Sequence, residues 1–259
     1  MPNPPPRLEL DLSGRVAVVT GGSRGLGAAI VRAYAAHGAD VVIASRKGDA
    51  CEALAKELRE QTGRRALGVA CHVGRWSDCD ELVDAAYTEF GRVDVLVNNA
   101  GMSPLYPSLD QVSEDLFDKV IGVNLKGPFR LAARIGARMK QDGRGSVINV
   151  SSIAAVAPSP IEVPYAAAKA GLNNLTIALA RVFGPEVRVN CIMPGPFLTD
   201  ISKAWPPGML DRMKEGIPLR RGGEPEEVVG AALYLASDAA SYTTGAVIKI
   251  DGGTAHSPA

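Results

Sequence analysis

From Arg15 onward, short runs of β-branched and other apolar residues alternate with longer stretches whose apolar positions recur every three to four residues. The first pattern is that of strands buried on both faces, the second that of helices with one buried side. Strands are predicted at 16–20, 40–45, 66–73, 94–98, 145–150, 187–193 and 246–250. Helices are predicted up to about His37, up to about Gln61, over about 77–90, 113–139 and 224–236, and around Tyr165. Such alternation predicts a parallel sheet covered on both sides, a doubly wound α/β domain. Neither a linker nor an internal repeat divides it, so 12–259 is expected to be one domain and 1–11 a short mobile tail. The irregular stretch 194–216, rich in Pro and Gly and carrying Phe197, Trp205, Met209 and Leu210, is long enough to close over a site as a lid.

Composition narrows the partners. Hydrophobic residues make up 46% and charged residues 22%, a balance that supports a real core and excludes general disorder. Lys plus Arg and Asp plus Glu are both 28, so no global field favours nucleic acid or an anionic membrane. The N-terminus lacks a signal-peptide pattern, and no apolar run approaches the ~18 residues of a membrane span. Cys51, Cys71, Cys79 and Cys191 have neither zinc-ligand spacing nor the density of a disulfide framework. They read as reduced thiols, Cys71 as core because no cysteine lies at exchange spacing from it, and a cytoplasmic address without a metal site is expected.

Strand one runs directly into Thr20-Gly21-Gly22-Ser23-Arg24-Gly25-Leu26-Gly27 and then a helix. Glycines there let backbone approach a ligand, and the helix start offers free N–H groups and a positive dipole end to a pyrophosphate. With a strand before and a helix after, dinucleotide binding is the expectation. An acidic residue at the end of the second strand would grip ribose hydroxyls, but this chain has Ser45-Arg46-Lys47. Arg46 and Arg24 converging on a 2′-phosphate favour NADP(H) over NAD(H).

Tyr165 and Lys169 stand four residues apart, which on a helix places them on one face. A phenol titrates near ~10, and bringing it to 7 takes about 4 kcal/mol. One ammonium ~4 Å away at an effective dielectric of ~20 is worth roughly that before burial opposes it. The pair therefore reads as a usable acid or base, or else as an exposed aromatic beside a solvated lysine.

Taken together, Thr20-Gly21-x-x-x-Gly25-x-Gly27, Asn98-Asn99-Ala100-Gly101, Ser152 thirteen positions before Tyr165, Lys169, Pro194-Gly195 and Asp251-Gly252-Gly253 resemble the classical short-chain dehydrogenase/reductase family over roughly 12–253. The resemblance implies a Rossmann-type domain with a seven-stranded parallel sheet, usually a homotetramer, that moves hydride between a nicotinamide and a carbonyl or alcohol. It implies that Tyr165 is the acid in reduction and the base in oxidation, and that Ser152 hydrogen-bonds the substrate oxygen. Lys169 would hold the nicotinamide ribose and lower the tyrosine pKa, and Asn124 would hold the water of a proton relay. Implied cofactor contacts are Gly21, Ser23, Arg24, Gly25, Leu26, Gly27, Ser45, Arg46, His72, Val73, Asn99, Ala100, Gly101, Tyr165, Lys169, Pro194, Gly195 and Thr199. His72 stands where many members carry an aspartate. Ser45-Arg46-Lys47, Cys71-His72-Val73-Gly74 and Ser151-Ser152-Ile153-Ala154-Ala155 are similar to NADPH-dependent carbonyl and retinal reductases.

Around these residues lie Ser103-Pro104-Leu105-Tyr106, 157–163, Phe197, Trp205 and Met209, a mostly apolar set that suits a neutral, fairly hydrophobic ketone or aldehyde. A 3-oxoacyl carrier-protein reductase, with Arg220 and Arg221 greeting an acidic carrier, and a polyol dehydrogenase are the alternatives within the class. A catalytically silent dinucleotide-binding regulatory protein is the alternative outside it.

Overall fold

The structure is a computed structural model and describes residues 10–199, 208 and 214–256. Seven strands form one parallel sheet: β1 (Val16–Thr20), β2 (Asp40–Ser45), β3 (Ala66–Ala70), β4 (Val95–Asn98), β5 (Gly145–Val150), β6 (Val187–Pro194) and β7 (Val247–Ile250). Their spatial order is β3-β2-β1-β4-β5-β6-β7. The helices are α1 (Gly25–Ala36), α2 (Gly48–Thr62), α3 (Trp76–Phe90), α4 (Glu114–Ile121), α5 (Gly127–Gln141), α6 (Val163–Phe183) and α7 (Val229–Ala236).

Alternation within the strands builds the two halves of the core. Ala17, Val19, Val41 and Ile43 pack with Ile30, Val31 and Tyr34 of α1, while Val18, Val42 and Leu96 pack with Leu82 of α3 and Leu131 and Ile135 of α5. Because both sides are filled, β1 and β4 are buried along their whole length, which is why these strands read as unbroken apolar runs. The chain reverses its direction across the sheet between β1 and β4, and the crevice beyond their C-terminal ends is where such a sheet places a ligand.

Two elements differ from the sequence expectation. The strand expected to reach Val73 ends at Ala70. After a last ladder bond from Cys71 N to Ser45 O (2.9 Å), the Asp78 carboxylate takes the His72 N–H (3.0 Å), and a turn closes from Arg75 N to His72 O (2.8 Å). The single helix expected over 113–139 is α4 and α5 joined by one π-helical turn, Gly122–Lys126. Pro128 has no N–H to give to the carbonyl four residues back, that of Asn124, so the regular ladder is interrupted there. No described helix is long and apolar enough to cross a membrane. Of the expected lid, Trp205, Met209 and Leu210 lie outside the described residues, as does most of the expected N-terminal tail.

Candidate active site

The glycine loop closes the C-terminal end of β1. Gly21 has φ +65°, and a Cβ at Gly27 would stand 2.3 Å from the Gly21 carbonyl oxygen, so a side chain there would push the loop off the helix. The loop is stitched to β4 through Thr20, whose hydroxyl accepts from the backbone N–H groups of Asn99 and Ala100, each at 3.1 Å. Asn99 returns its side-chain amide to the carbonyls of Thr20 (2.9 Å) and Gly21 (3.3 Å). Its amide nitrogen is thereby committed to holding the loop. Ser23 and Ser45 bridge loop and β2 through their hydroxyls at 3.0 Å. Arg24, Arg46 and Lys47 are exposed, and none has an ion-pair partner among the described residues.

His72 is half-buried, and its Nδ1 accepts from Gly74 N (3.2 Å), which in the neutral ring leaves Nε2–H as the outward donor. Val73, the other residue expected to contact cofactor here, packs its side chain in the core, and its carbonyl accepts from the Cys79 thiol at 3.2 Å. Cys71 is buried in the core, as expected, and its thiol donates to the Asp78 carbonyl (3.5 Å). The neighbouring Cys79, brought alongside by the first turn of α3, together with burial raises the Cys71 pKa while Cys79 is lowered. A separation of eight residues along the chain concealed this contact.

The catalytic candidates gather beyond β5. Ser152 caps the single 3₁₀ turn Ile153–Ala155, accepting from Ala154 N (3.2 Å). Tyr165 and Lys169 lie in the first two turns of α6. A buried polar chain supports them: Asn98 donates to Asn149 (2.9 Å), and Asn149 to the Thr176 hydroxyl (2.9 Å), tying β4, β5 and α6 together under the site. Lys169 is 3% exposed, donates to the Val150 carbonyl (2.7 Å), and holds its Nζ 5.6 Å from the centre of the Tyr165 ring. Asn124 is wholly buried and gives its side-chain amide to the carbonyls of Met102 (2.8 Å) and Val120 (2.9 Å), while its Oδ1 accepts from Met102 N (3.2 Å). Only its backbone carbonyl is left for other work. Gly101 lies between these groups, since a Cβ there would be 3.0 Å from Asn124 Oδ1 and 3.6 Å from Lys169 Nζ.

The electrostatics depart from the simple pair expected from spacing. Burial pushes the Tyr165 phenol up to about 12, opposed by the Ser152 hydroxyl and reinforced by the nearby Glu162 carboxylate. Burial pushes Lys169 down to about 8, with Cys191 pulling it back up. Desolvation is thus the largest influence on both groups.

Pro194 ends β6 and Gly195 follows it, and a methyl added at Gly25 would stand 3.5 Å from the Thr199 side chain, so this loop borders the glycine loop. Phe197, expected beside the substrate, belongs to the core and packs on Gly223. The cleft beside Tyr165 is walled by Pro104, Tyr106, Leu116, Val120 and Pro164. Glu162 also lines it, a charge that an otherwise apolar stretch of sequence had concealed. Among the described residues no cluster of three or more His, Cys, Asp or Glu could hold a metal.

Known proteins share this fold. A family model described as enoyl-(acyl carrier protein) reductase matches residues 21–255. The human dehydrogenase/reductase SDR family member 4 is 39% identical over 246 residues, covering 94% of this chain and 88% of that protein. The 3-oxoacyl-[acyl-carrier-protein] reductase FabG of Chlamydia trachomatis is 39% identical over 245 residues, covering 94% and 98%. Among solved structures, a putative NAD(P)-dependent gluconate 5-dehydrogenase from Beutenbergia cavernae with bound NADP has a TM-score of 0.90 at 34% identity, covering 95% of this chain and 98% of that one. The 3-ketoacyl-(acyl-carrier-protein) reductase from Brucella melitensis complexed with NADH has a TM-score of 0.88 at 32% identity, covering 95% and 100%. With the doubly wound sheet and near-full-length matches of this kind, the chain belongs to the short-chain dehydrogenase/reductase family, oxidoreductases that act on CH–OH and C=O groups.

Proposed function

We propose that the chain is an NADP(H)-dependent carbonyl reductase for a compact, largely apolar ketone or aldehyde. The observation that carries this reading is the joint position of Ser152, Tyr165 and Lys169 beside the glycine loop at the sheet's switch point. The close-packed turn at Gly21 and Gly27, with the start of α1 behind it, fits a pyrophosphate. Exposed Arg24 and Arg46 fit a 2′-phosphate, and the outward Nε2 of His72 fits an adenine edge.

When bound, the reduced nicotinamide supplies a hydride to the carbonyl carbon. Ser152 and Tyr165 hold the carbonyl oxygen, so negative charge develops between two fixed donors. Tyr165 then delivers its proton to that oxygen. A phenol held at about 12 keeps its proton throughout the neutral range, which suits an acid in reduction better than a base in oxidation. Lys169 orients the cofactor ribose, and the Asn124 carbonyl, which Pro128 cannot engage, holds a water that returns a proton toward the site.

Basic groups free to greet an acidic acyl carrier are fewer than the sequence suggested. Arg221 is paired with Glu227 through two contacts (2.5 and 2.6 Å), and Arg220 donates to the Glu215 carbonyl. That favours a free small molecule over a carrier-bound thioester. Exposed Phe117, Phe129, Ile177 and Val182 on α4 to α6 support self-association, in keeping with a homotetramer. Four cysteines without a disulfide accord with a reducing, cytoplasmic setting.

Replacing Arg46 by alanine should raise the KM for NADPH by about tenfold or more and leave that for NADH within about twofold, the loss expected for one charge-assisted phosphate contact. Equal effects on both would remove the case for NADP(H). Turnover is tested by following NADPH absorbance with ketones, aldehydes, dicarbonyls, polyols with NADP⁺, and acyl thioesters. Failure on every compound would favour the silent, regulatory alternative.

A further inference from the structure

The cleft beside Tyr165 carries one charged side chain, and nothing described neutralises it. Glu162 is half-buried at the N-terminal edge of α6, three residues before Tyr165. Pro104, Leu116, Val120 and Pro164 make the rest of the wall apolar. The carboxylate forms no ion pair among the described residues. Burial raises its pKa, and the backbone N–H of Ser159 is the group that pulls it down. A carboxylate among apolar walls is costly unless a cation or strong donor meets it.

Its position is also fixed. The Tyr106 hydroxyl donates to the Pro160 carbonyl (3.0 Å) and accepts from Val163 N (2.8 Å), clamping the segment that presents Glu162. Glu162 and Tyr165 line the same cleft, and the carboxylate is near enough to act on the phenol. A molecule whose carbonyl oxygen meets Tyr165 therefore has Glu162 within a few bonds of that carbonyl.

Building on the carbonyl-reductase reading, we propose that Glu162 is a specificity-determining residue that selects short ketones bearing a basic nitrogen, by pairing their ammonium group with its carboxylate. The apolar walls hold the hydrocarbon frame, and the Tyr106 ring adds an aromatic surface of the kind that favours cations. A hydroxyl would satisfy one lone pair but leave the charge in place, whereas an ammonium removes both penalties together.

The test compares 1-methyl-4-piperidone with 4-methylcyclohexanone, a cation and a neutral ketone of the same shape, in wild type and Glu162→Gln with NADPH. Wild type should prefer the amino ketone in kcat/KM by about tenfold or more, and Glu162→Gln should abolish that ratio, whatever common effect the substitution has on both substrates. No preference in wild type, or a ratio untouched by the substitution, would overturn the assignment. Calorimetry of NADPH-loaded protein with 4-hydroxy-1-methylpiperidine and 4-methylcyclohexanol reads the same preference without turnover. If neither ketone were reduced, the reductase reading would fall. Amine-selective binding lost in Glu162→Gln would still support the carboxylate's role, and equal binding of the two alcohols would overturn it.

Discussion

Replacing Tyr165 by phenylalanine should lower kcat for ketone reduction by about a thousandfold, the scale of a positioned general acid, while NADPH binding stays within about twofold. The substitution removes one hydroxyl and keeps the ring that packs at the start of α6, so loss of the fold is not a competing cause. Two groups are left where three acted: Ser152 still offers a hydrogen bond to the carbonyl oxygen, but no proton donor remains beside it. The phenol in the native chain is pushed up to about 12, chiefly by burial. It stays protonated well above neutrality, so reduction by the native protein should show no decline attributable to Tyr165 between pH 6 and about 9. Single-turnover measurements separate this effect on chemistry from any on product release. A variant that kept its rate would dismiss Tyr165 as the acid.

Lys169→Met should show the opposite balance of activity and stability. Activity and NADPH affinity should both fall, kcat/KM by about a hundredfold or more, because positioning of cofactor and reacting groups is lost together. Stability, however, should rise. Lys169 is 3% exposed with no carboxylate paired to it, and burial pushes its pKa from 10.5 down to about 8. That shift corresponds to roughly 3 kcal/mol spent keeping the ammonium charged in the folded protein. The lost hydrogen bond to the Val150 carbonyl gives back about 1 kcal/mol, so a net gain near 2 kcal/mol is expected at pH 7. The sign follows from linkage. Because the folded pKa is the lower one, the penalty is complete below pH 8 and fades between 8 and 10.5, so the variant's advantage should shrink over that window. Urea denaturation at pH 7 and at pH 10 checks this, and a destabilised variant at pH 7 would show that the lysine is structural.

The pattern of apolar runs made the sheet legible because strands covered on both faces must be apolar throughout, and β1, β2, β4 and β5 begin and end within a residue of where the sequence puts them. Polar capture is harder to read. β3 stops early because Asp78, in the first turn of the next helix, takes the His72 N–H, and the 113–139 helix is interrupted where Pro128 withdraws a donor from Asn124. In the site, helical spacing put Tyr165 and Lys169 on one face of a helix, and the family resemblance added Ser152 at the end of the preceding strand. What spacing did not reveal was burial. The desolvation of Tyr165 and Lys169, the commitment of Asn99 to the glycine loop, the burial of Val73 and Phe197, and the contact of Cys71 with Cys79 all depend on neighbours from other elements. Thr20, which anchors the loop to β4, was also missed; its sign in the sequence is only a hydroxyl at a strand end in place of another apolar residue.

The most direct measurement is the fate of the hydride. With NADPH deuterated at the transferring position of the nicotinamide ring and a saturated ketone such as 4-methylcyclohexanone, the product should be the alcohol carrying one deuterium on the carbinol carbon, formed in step with NADPH oxidised. NADPH consumed without deuterium in the alcohol, or deuterated alcohol formed equally fast by Tyr165→Phe, would contradict hydride transfer to a carbonyl protonated by this tyrosine.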